Sequence, residues 1–381
     1  MAVYLALKEL WRNKGRFFLI SLVIGLITTL VIFVGALAEG LGAGNREYLQ
    51  KLNGELIVYS KNADLLIGFS QLPRSKLAEL QRVPGVRDVG PISFSTVSIL
   101  LGGDKRLNVS MIGVEPGKPA EPPVLAGRQL RNRSGREAVI ERTMALRTGL
   151  KVGDRFTIKS NQGDTDEFYT LQVIGISDGR QYSLQPTMFV PLLTWDEVRP
   201  TAAVNTGKAE LTSNVIAVQL DNPGDLKAAK DKIESQVADV VAVDRVTAYE
   251  NTPGYSAQQS TLNTQGTFVL IIGTLVIGGF FQIQTLQKVP QTGMLKAIGA
   301  SNATIAVAAV VQILAVTILG VLIGGLAVLA LKLSFPPTIP IVFTGNSALA
   351  GIASIMLIGP IGGIVSLRYA LKVEPLKALG L

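Results

Sequence analysis

The 381-residue chain is 48% hydrophobic and only 17% charged, against roughly a quarter charged in ordinary soluble domains, which excludes disorder and argues against a plain soluble enzyme. It contains neither Cys nor His, so disulfides, thiolate zinc sites, cysteine nucleophiles, the Ser-His-Asp triad and the commonest metal ligand are all closed to it. The formal charge of +8 arises wholly outside residues 39–263, which hold 26 basic and 26 acidic residues; the excess flanks long apolar runs, as in a membrane protein, and makes no nucleic-acid footprint.

Residues 1–16 form a basic segment in which Lys8, Arg12, Lys14 and Arg16 are opposed only by Glu9. The next 22 residues, 17–38, carry no charge. At about 1.5 Å per residue they cross a hydrocarbon core of about 30 Å. Ala36-Leu37-Ala38 has the look of a signal-peptide cleavage site, but the run is longer than the roughly 7–15 residues of a signal core. A retained transmembrane helix is therefore expected.

Residues 39–263 read as a soluble α+β domain. The string 55–59 (ELIVY) alternates as a strand, 75–81 (SKLAELQ) is a short amphipathic helix stopped by Pro84-Gly85, and 86–101 returns to strands. The order recurs later. Residues 214–220 (NVIAVQL) form a strand, and 225–237 a helix with Leu226, Ile233 and Val237 inward and Asp225 or Asn222 as cap. Residues 240–246 form another strand. Two β-α-β units at the two ends predict one ferredoxin-like layer built from both. Between them, about 122–191, short strands punctuated by Gly127, Gly135, Gly149, Gly153, Gly163 and Gly175 predict a β-rich subdomain. Its Arg128, Arg131, Arg133 and Arg136 read as a solvated basic face, with lipid headgroups or an acidic ligand as the competing reading.

Three further charge-free stretches follow, 251–287, 297–331 and 333–367. They predict spans at 264–287, 304–331 and 347–367, separated by a basic segment at 288–303 and a short loop at 332–346, and followed by a tail at 368–381. The expected fold is thus a membrane α-helical protein, four transmembrane helices arranged 1+3, with a large α+β extracytoplasmic domain between spans one and two. With both termini in the cytoplasm, the inside segments hold nine basic residues: Lys8, Arg12, Lys14, Arg16, Lys288, Lys296, Arg368, Lys372 and Lys377. They hold two acids, Glu9 and Glu374, whereas the short outer loop carries only Lys332. That asymmetry places residues 39–263 outside the cytoplasmic membrane. Glycines recur in the spans (Gly273, Gly278 and Gly279; Gly320, Gly324 and Gly325; Gly359, Gly362 and Gly363), as expected where helices approach closely, and Pro360 is expected to bend the last span. Gln282, Gln284 and Gln312, polar at membrane depth, should face protein or a cavity.

No phosphate-binding loop or catalytic constellation is present. The string 113–119 (GVEPGKP) has the wrong spacing, and Asp164, Asp166 and Glu167 (DTDE) lack the spacing of a cation loop and read as a polar turn. The chain is not expected to be an enzyme by itself, and no metal site is expected.

The segment 288–301 reads KVPQTGMLKAIGAS. It resembles the cytoplasmic segment of FtsX/MacB-type ABC transporter permeases, where a string like E-I-G-x-L-K-A-I-G-A recurs. Gly293, Leu295, Lys296, Ala297, Ile298, Gly299 and Ala300 match; the family's usual acid falls at Gln291, with Pro290 before it. Residues 137–158 (EAVIERTMALRTGLKVGDRFTI), 171–176 (LQVIGI) and 368–380 (RYALKVEPLKALG) are similar to the same family. The resemblance implies a homodimeric bacterial permease with a separate ABC ATPase dimer that carries ATP and Mg; no ATPase domain is expected in the chain and no covalent cofactor. It also implies that Lys288, Gln291, Gly293, Met294, Leu295, Lys296, Ile298 and Gly299 form the coupling segment. Met294, Leu295 and Ile298 would enter an ATPase groove and the two lysines would meet acidic groups.

The strings 5–10 (LALKEL) and 36–44 (ALAEGLGAG), with Asn45, further resemble permeases of bacterial haem-efflux systems. Haem as substrate would need Tyr, Met or Glu as ligands. The candidates are Glu39, Tyr48 and Tyr255, with Arg46 for a propionate; the competing reading makes the tyrosines interface-belt residues and Glu39 a solvated span end. The expected function is ATP-driven extrusion of an amphipathic molecule, with haem ahead of lipid, lipoprotein, peptide or antibiotic. The alternatives are an FtsX-like mechanotransmitter that moves an outside partner such as a cell-wall hydrolase, or a sensory permease for antibiotic stress.

Overall fold

The computed structural model describes residues 2–101, 105–201, 211–335, 339 and 341–371. Lys372, Glu374 and Lys377 of the expected tail lie outside the described residues, as do 336–338 and 340 of the expected outer loop. Two helices open the chain, α1 (Ala2–Arg12) and α2 (Lys14–Gln50). Then come β1 (Leu56–Ser60), β2 (Leu72–Pro73), α3 (Ser75–Gln81), β3 (Val86–Leu100), β4 (Arg106–Val114), β5 (Val124–Gly127), β6 (Glu137–Glu141) and α4 (Arg142–Thr148). They are followed by β7 (Arg155–Gln162), β8 (Thr165–Ser177), β9 (Thr187–Pro191), α5 (Leu192–Val198), β10 (Thr212–Ser213), β11 (Val215–Leu220), α6 (Leu226–Gln236), β12 (Val240–Asp244) and α7 (Arg245–Glu250). The chain continues as α8 (Tyr255–Gln287), α9 (Val289–Ala297), α10 (Asn302–Ser334) and α11 (Gly345–Leu371). It divides into a helical unit, Met1–Gly40 with Gln259–Leu381, and an α+β unit, Leu41–Gln258.

In the α+β unit the strand order begins β12-β1-β11-β3, with every pairing antiparallel. Numbered along the chain, these four strands run 4-1-3-2, the ferredoxin-like arrangement of two interleaved β-α-β units. Alternation decides the faces. Leu56, Val58, Ile216 and Val218 meet Leu80, Ala229, Ile233 and Val237 of the α3 and α6 regions on one side. Ile57, Tyr59, Val215 and Ala217 meet Tyr48, Leu49 and Leu52 on the other. Leu226 is a correction: it is 36% exposed, because it opens the first turn of α6 away from the sheet. The side chain of Asp225 does not cap that helix either; its carboxylate accepts from Asn222 Nδ2 at 2.9 Å.

The same sheet continues β4-β9-β6-β8-β5, with β7 paired to β3 and β8. Here β3 does two jobs. Its first half pairs with β11, while Ile92–Leu100 pairs with β4. Val97 and Ile99 thus join a second core with Met111, Ile140, Phe156, Leu171, Val190 and Trp195. The β-rich part therefore recruits β3 and β4 from upstream of residue 122, a join that local periodicity does not mark.

In the helical unit, α2, α8, α10 and α11 are long and apolar enough to cross a membrane, with mean hydropathy in their best windows of 2.9, 2.0, 2.7 and 1.4. Both α2 and α8 overrun the charge-free cores expected at 17–38 and 264–287. α2 runs on past 38 through Gly40, Gly42 and Gly44 to Gln50, its last turns packing Tyr48 and Leu49 into the core of the α+β unit, and α8 starts directly after the turn at Pro253-Gly254, where Gly254 has φ +81°. Glycines bring the helices together. A Cβ on Gly320 would lie 2.5 Å from Ile24 Cγ2, and one on Gly324 would lie 2.7 Å from the Gly25 carbonyl, so α2 and α10 approach too closely at both glycines for a side chain to fit. Gly278 and Gly362 meet similarly between α8 and α11, at 3.0 Å. Pro360 stands inside α11. Gln284 and Gln312 are 4% and 7% exposed, facing protein as their polarity at that depth requires.

Candidate functional site

The segment 288–303 folds as α9 between two sharply defined ends. Pro290 stands in the first turn, where a missing N–H costs nothing and the fixed φ favours the helix. At the other end Gly299 adopts φ +95°, its N–H donates to the Lys296 carbonyl at 3.0 Å, and the Ala300 N–H donates to the Leu295 carbonyl at 2.9 Å. This double bond pattern is a Schellman stop. Ser301 then caps α10, its Oγ accepting from the Thr304 N–H at 3.2 Å. Gly299 therefore serves the turn between two helices.

The helix has two unlike faces. Pro290, Gln291, Met294, Ala297 and Ile298 recur at helical spacing and are all exposed, Met294 at 58% and Ile298 at 79%. Gly293 is buried, and Thr292 and Leu295 face a cleft lined also by Phe281, Gln284, Ala309 and Ile313. Leu295 thus belongs to the inner face rather than to the outward surface expected of it.

Both lysines also turn inward, each with a partner within the chain. Lys288 Nζ lies 2.5 Å from Glu9 Oε1, donates to Gln312 Oε1 at 3.1 Å, and sits 5.4 Å from the Phe17 ring centroid. Lys296 Nζ donates to the carbonyl of Leu371, the last described residue of α11, at 2.7 Å. Gln312 Nε2 donates to Glu9 Oε2 at 2.7 Å, and Arg16 bonds Gln287. Glu9 and Gln312 were not expected at this site. The available signals were a lone acid in a basic segment and a lone amide in an apolar span.

The other sequence-predicted residues lie elsewhere. Tyr48 is wholly buried between Phe94 and Phe189, its hydroxyl donating to the Ala120 carbonyl at 3.3 Å. Tyr48 is therefore a core residue, neither an interface-belt side chain nor an open ligand. Arg46 Nη1 donates to the Tyr255 hydroxyl at 3.5 Å, Asn45 Nδ2 donates to Gln258 Oε1 at 2.9 Å, and Tyr255 stacks edge-on against Tyr249. These contacts tie the end of α2 to the start of α8 within the α+β unit. Glu39 is half-buried in the helical unit. Of the four arginines on the expected basic face, Arg128 pairs with Glu137, Arg133 with Glu115 at 3.6 Å, and Arg136 with Glu197 at 2.9 Å. The DTDE string is the β7–β8 hairpin end, with Asp166 2.5 Å from Lys159. In the 113–119 string, the Gly117 N–H donates to Glu121 Oε2 at 2.8 Å.

Two helix caps in the α+β unit show how burial sets charge. Glu141 accepts from the Thr143 and Met144 N–H groups, and Asp244 from those of Val246 and Thr247. Glu141 is fully buried, and desolvation outweighs its two bonds, raising its carboxyl to about 7. For Asp244 burial also opposes ionisation, but the bonds to Thr247 and Val246 together prevail and hold it below the ordinary range.

Two protein families match the chain, one after the other. The family described as MacB-like periplasmic core domain matches residues 17–236, and the FtsX-like permease C-terminal family matches 264–375. A Staphylococcus haemolyticus protein named for a hemin transport system permease, HrtB, is 27% identical over 380 residues and covers 99% of both chains. An uncharacterised ABC transporter permease of Mycobacterium tuberculosis is 22% identical, again over 99% of both. Among solved structures, the periplasmic region of MacB from Actinobacillus actinomycetemcomitans is 15% identical with a TM-score of 0.35, covering 56% of this chain and 96% of that one. With a MacB-like core matched over more than half its length and an FtsX-like region after it, the chain belongs to the MacB/FtsX family of ABC transporter permeases.

Proposed function

We propose that this permease couples ATP hydrolysis by a separate ABC ATPase dimer to extrusion of an amphipathic molecule, with haem as the substrate. The observation that carries the coupling half is the exposed face of α9, where Met294 and Ile298 stand out from a helix whose other side is anchored in the bundle. Such a face fits an apolar groove, and Gln291 at its start offers neutral hydrogen bonds. The haem half is supported by full-length similarity to permeases named for hemin transport. In a chain without His or Cys, the ligand would be an oxygen or thioether donor, and Glu39 and Tyr255 remain the proposed candidates, with Arg46 toward a propionate. The chain acts as a homodimer in the bacterial cytoplasmic membrane with both termini inside, a placement supported by the basic residues beside α1, α9 and the end of α11.

The test is a haem titration of the purified full-length protein in nanodiscs, read at the Soret band. The expected result is a saturable shift that Tyr255→Phe or Glu39→Gln weakens. A protein that binds its ATPase but gives no saturable shift would remove haem from the proposal and leave the coupling half to stand by itself.

A further inference from the structure

Glu9, Lys288 and Gln312 come from three elements: α1, the single residue between α8 and α9, and α10. They close a ring in which each member bonds the other two, at 2.5, 3.1 and 2.7 Å. Turning the Gln312 amide over would set its NH2 against the Lys288 ammonium and its oxygen against the Glu9 carboxylate, so the ring fixes its own orientation. The Lys288 and Glu9 side chains are 19% and 29% exposed and Gln312 is 7% exposed, so removing one member strands the charge or amide of another. The other end of α9 is held through Lys296 to the last carbonyl of α11 described.

A one-residue joint between α8 and α9 would ordinarily act as a hinge and absorb any push on α9. We propose that the Glu9–Lys288–Gln312 ring locks this joint, and with Lys296 makes α9 a plate pinned at both ends. Displacement of its exposed face is then passed to α1, α10 and α11 instead of being lost at residue 288. The three are positioning residues for coupling. This inference rests on the proposed docking of an ATPase at α9 for its functional meaning, though the lock itself can be measured without an ATPase.

The chain has no cysteine, so spin labels at Leu7→Cys on α1 and Gln291→Cys on α9 report a single distance, with labelled chains diluted in unlabelled protein. In nanodiscs a narrow distribution is expected for the parent chain. Glu9→Gln and Lys288→Gln should broaden it, and the exchanged pair, Glu9→Lys with Lys288→Glu, should narrow it again. Gln312→Leu, which leaves the ion pair intact, provides a milder break of the ring where a charge change prevents insertion. In the ATPase complex, each single change should keep the ATPase bound while substrate exported per ATP falls about tenfold, with recovery in the exchanged pair. Unchanged distributions in the single variants, or an exchanged pair as broad as either, would overturn the lock. If the distances behave as expected but Met294→Asp with Ile298→Asp still binds the ATPase, the docking reading fails and the lock stands.

Discussion

At the residue scale, both lysines of the α9 segment have their partners inside the helical unit. Lys288 and Lys296 stand in the motif that relates this chain to its family, and a lysine beside a short basic loop reads naturally as a contact to an outside acid. Their partners are Glu9 and the Leu371 carbonyl, 279 and 75 residues away in the chain. Such separations have no local signature. Tyr48 illustrates the same limit: an aromatic near a span end reads as a belt residue until the sheet that buries it is assembled. Glu141 gives a residue-scale prediction. Its folded carboxyl lies near 7, above the value of about 4.3 expected when unfolded, so the folded state holds the extra proton between these values. Stability from this group is therefore full below about pH 4.3 and declines as pH rises through about 7. Glu141→Gln should flatten that part of the profile, as read by urea unfolding of full-length protein through Trp195 fluorescence in a Trp11→Phe background. A profile unchanged by the substitution would show that Glu141 does not set it. Asp244, depressed by its N–H bonds, contributes in the opposite sense, with stability lost as pH falls.

At the element scale, helices and strands were legible because their periods and punctuation are local. The Pro290 start and Gly299-Ala300-Ser301 stop of α9 are written in consecutive residues, whereas which of its faces looks outward depends on α1 and α10. Met294→Asp with Ile298→Asp places two carboxylates on the outward face and should weaken ATPase co-purification at least tenfold, since each desolvated charge costs more than about 1.4 kcal/mol. Leu295→Asp, on the inner face, should instead lower thermal stability in detergent. Helix packing gives a second contrast. Gly278→Val meets the Gly362 backbone at 3.0 Å and should cost roughly 1–3 kcal/mol, while Gly279→Ala, with open space around it, should be close to neutral. Thermal unfolding of the two variants checks the pairing; equal stabilities would contradict it.

At the scale of the whole molecule, the 1+3 order of spans and the ferredoxin-like layer could be read because both repeat a simple pattern. The join through β3 could not, since one long strand serves two cores without a break in alternation. The proposed orientation rests on the charge asymmetry and is testable in the same cysteine-free background. Arg131→Cys should react with a membrane-impermeant maleimide in intact cells, and Gln291→Cys only after the membrane is opened; the reverse pattern would invert the topology. In the proposed function, an outward α9 face links a separate ATPase to movement of haem. ATP hydrolysis by the permease–ATPase complex in nanodiscs, followed as haem is added, tests it most directly. A saturable, haem-dependent change in hydrolysis is expected, and it should disappear in Met294→Asp with Ile298→Asp. A complex whose hydrolysis ignores haem, or responds equally with the altered face, would contradict it.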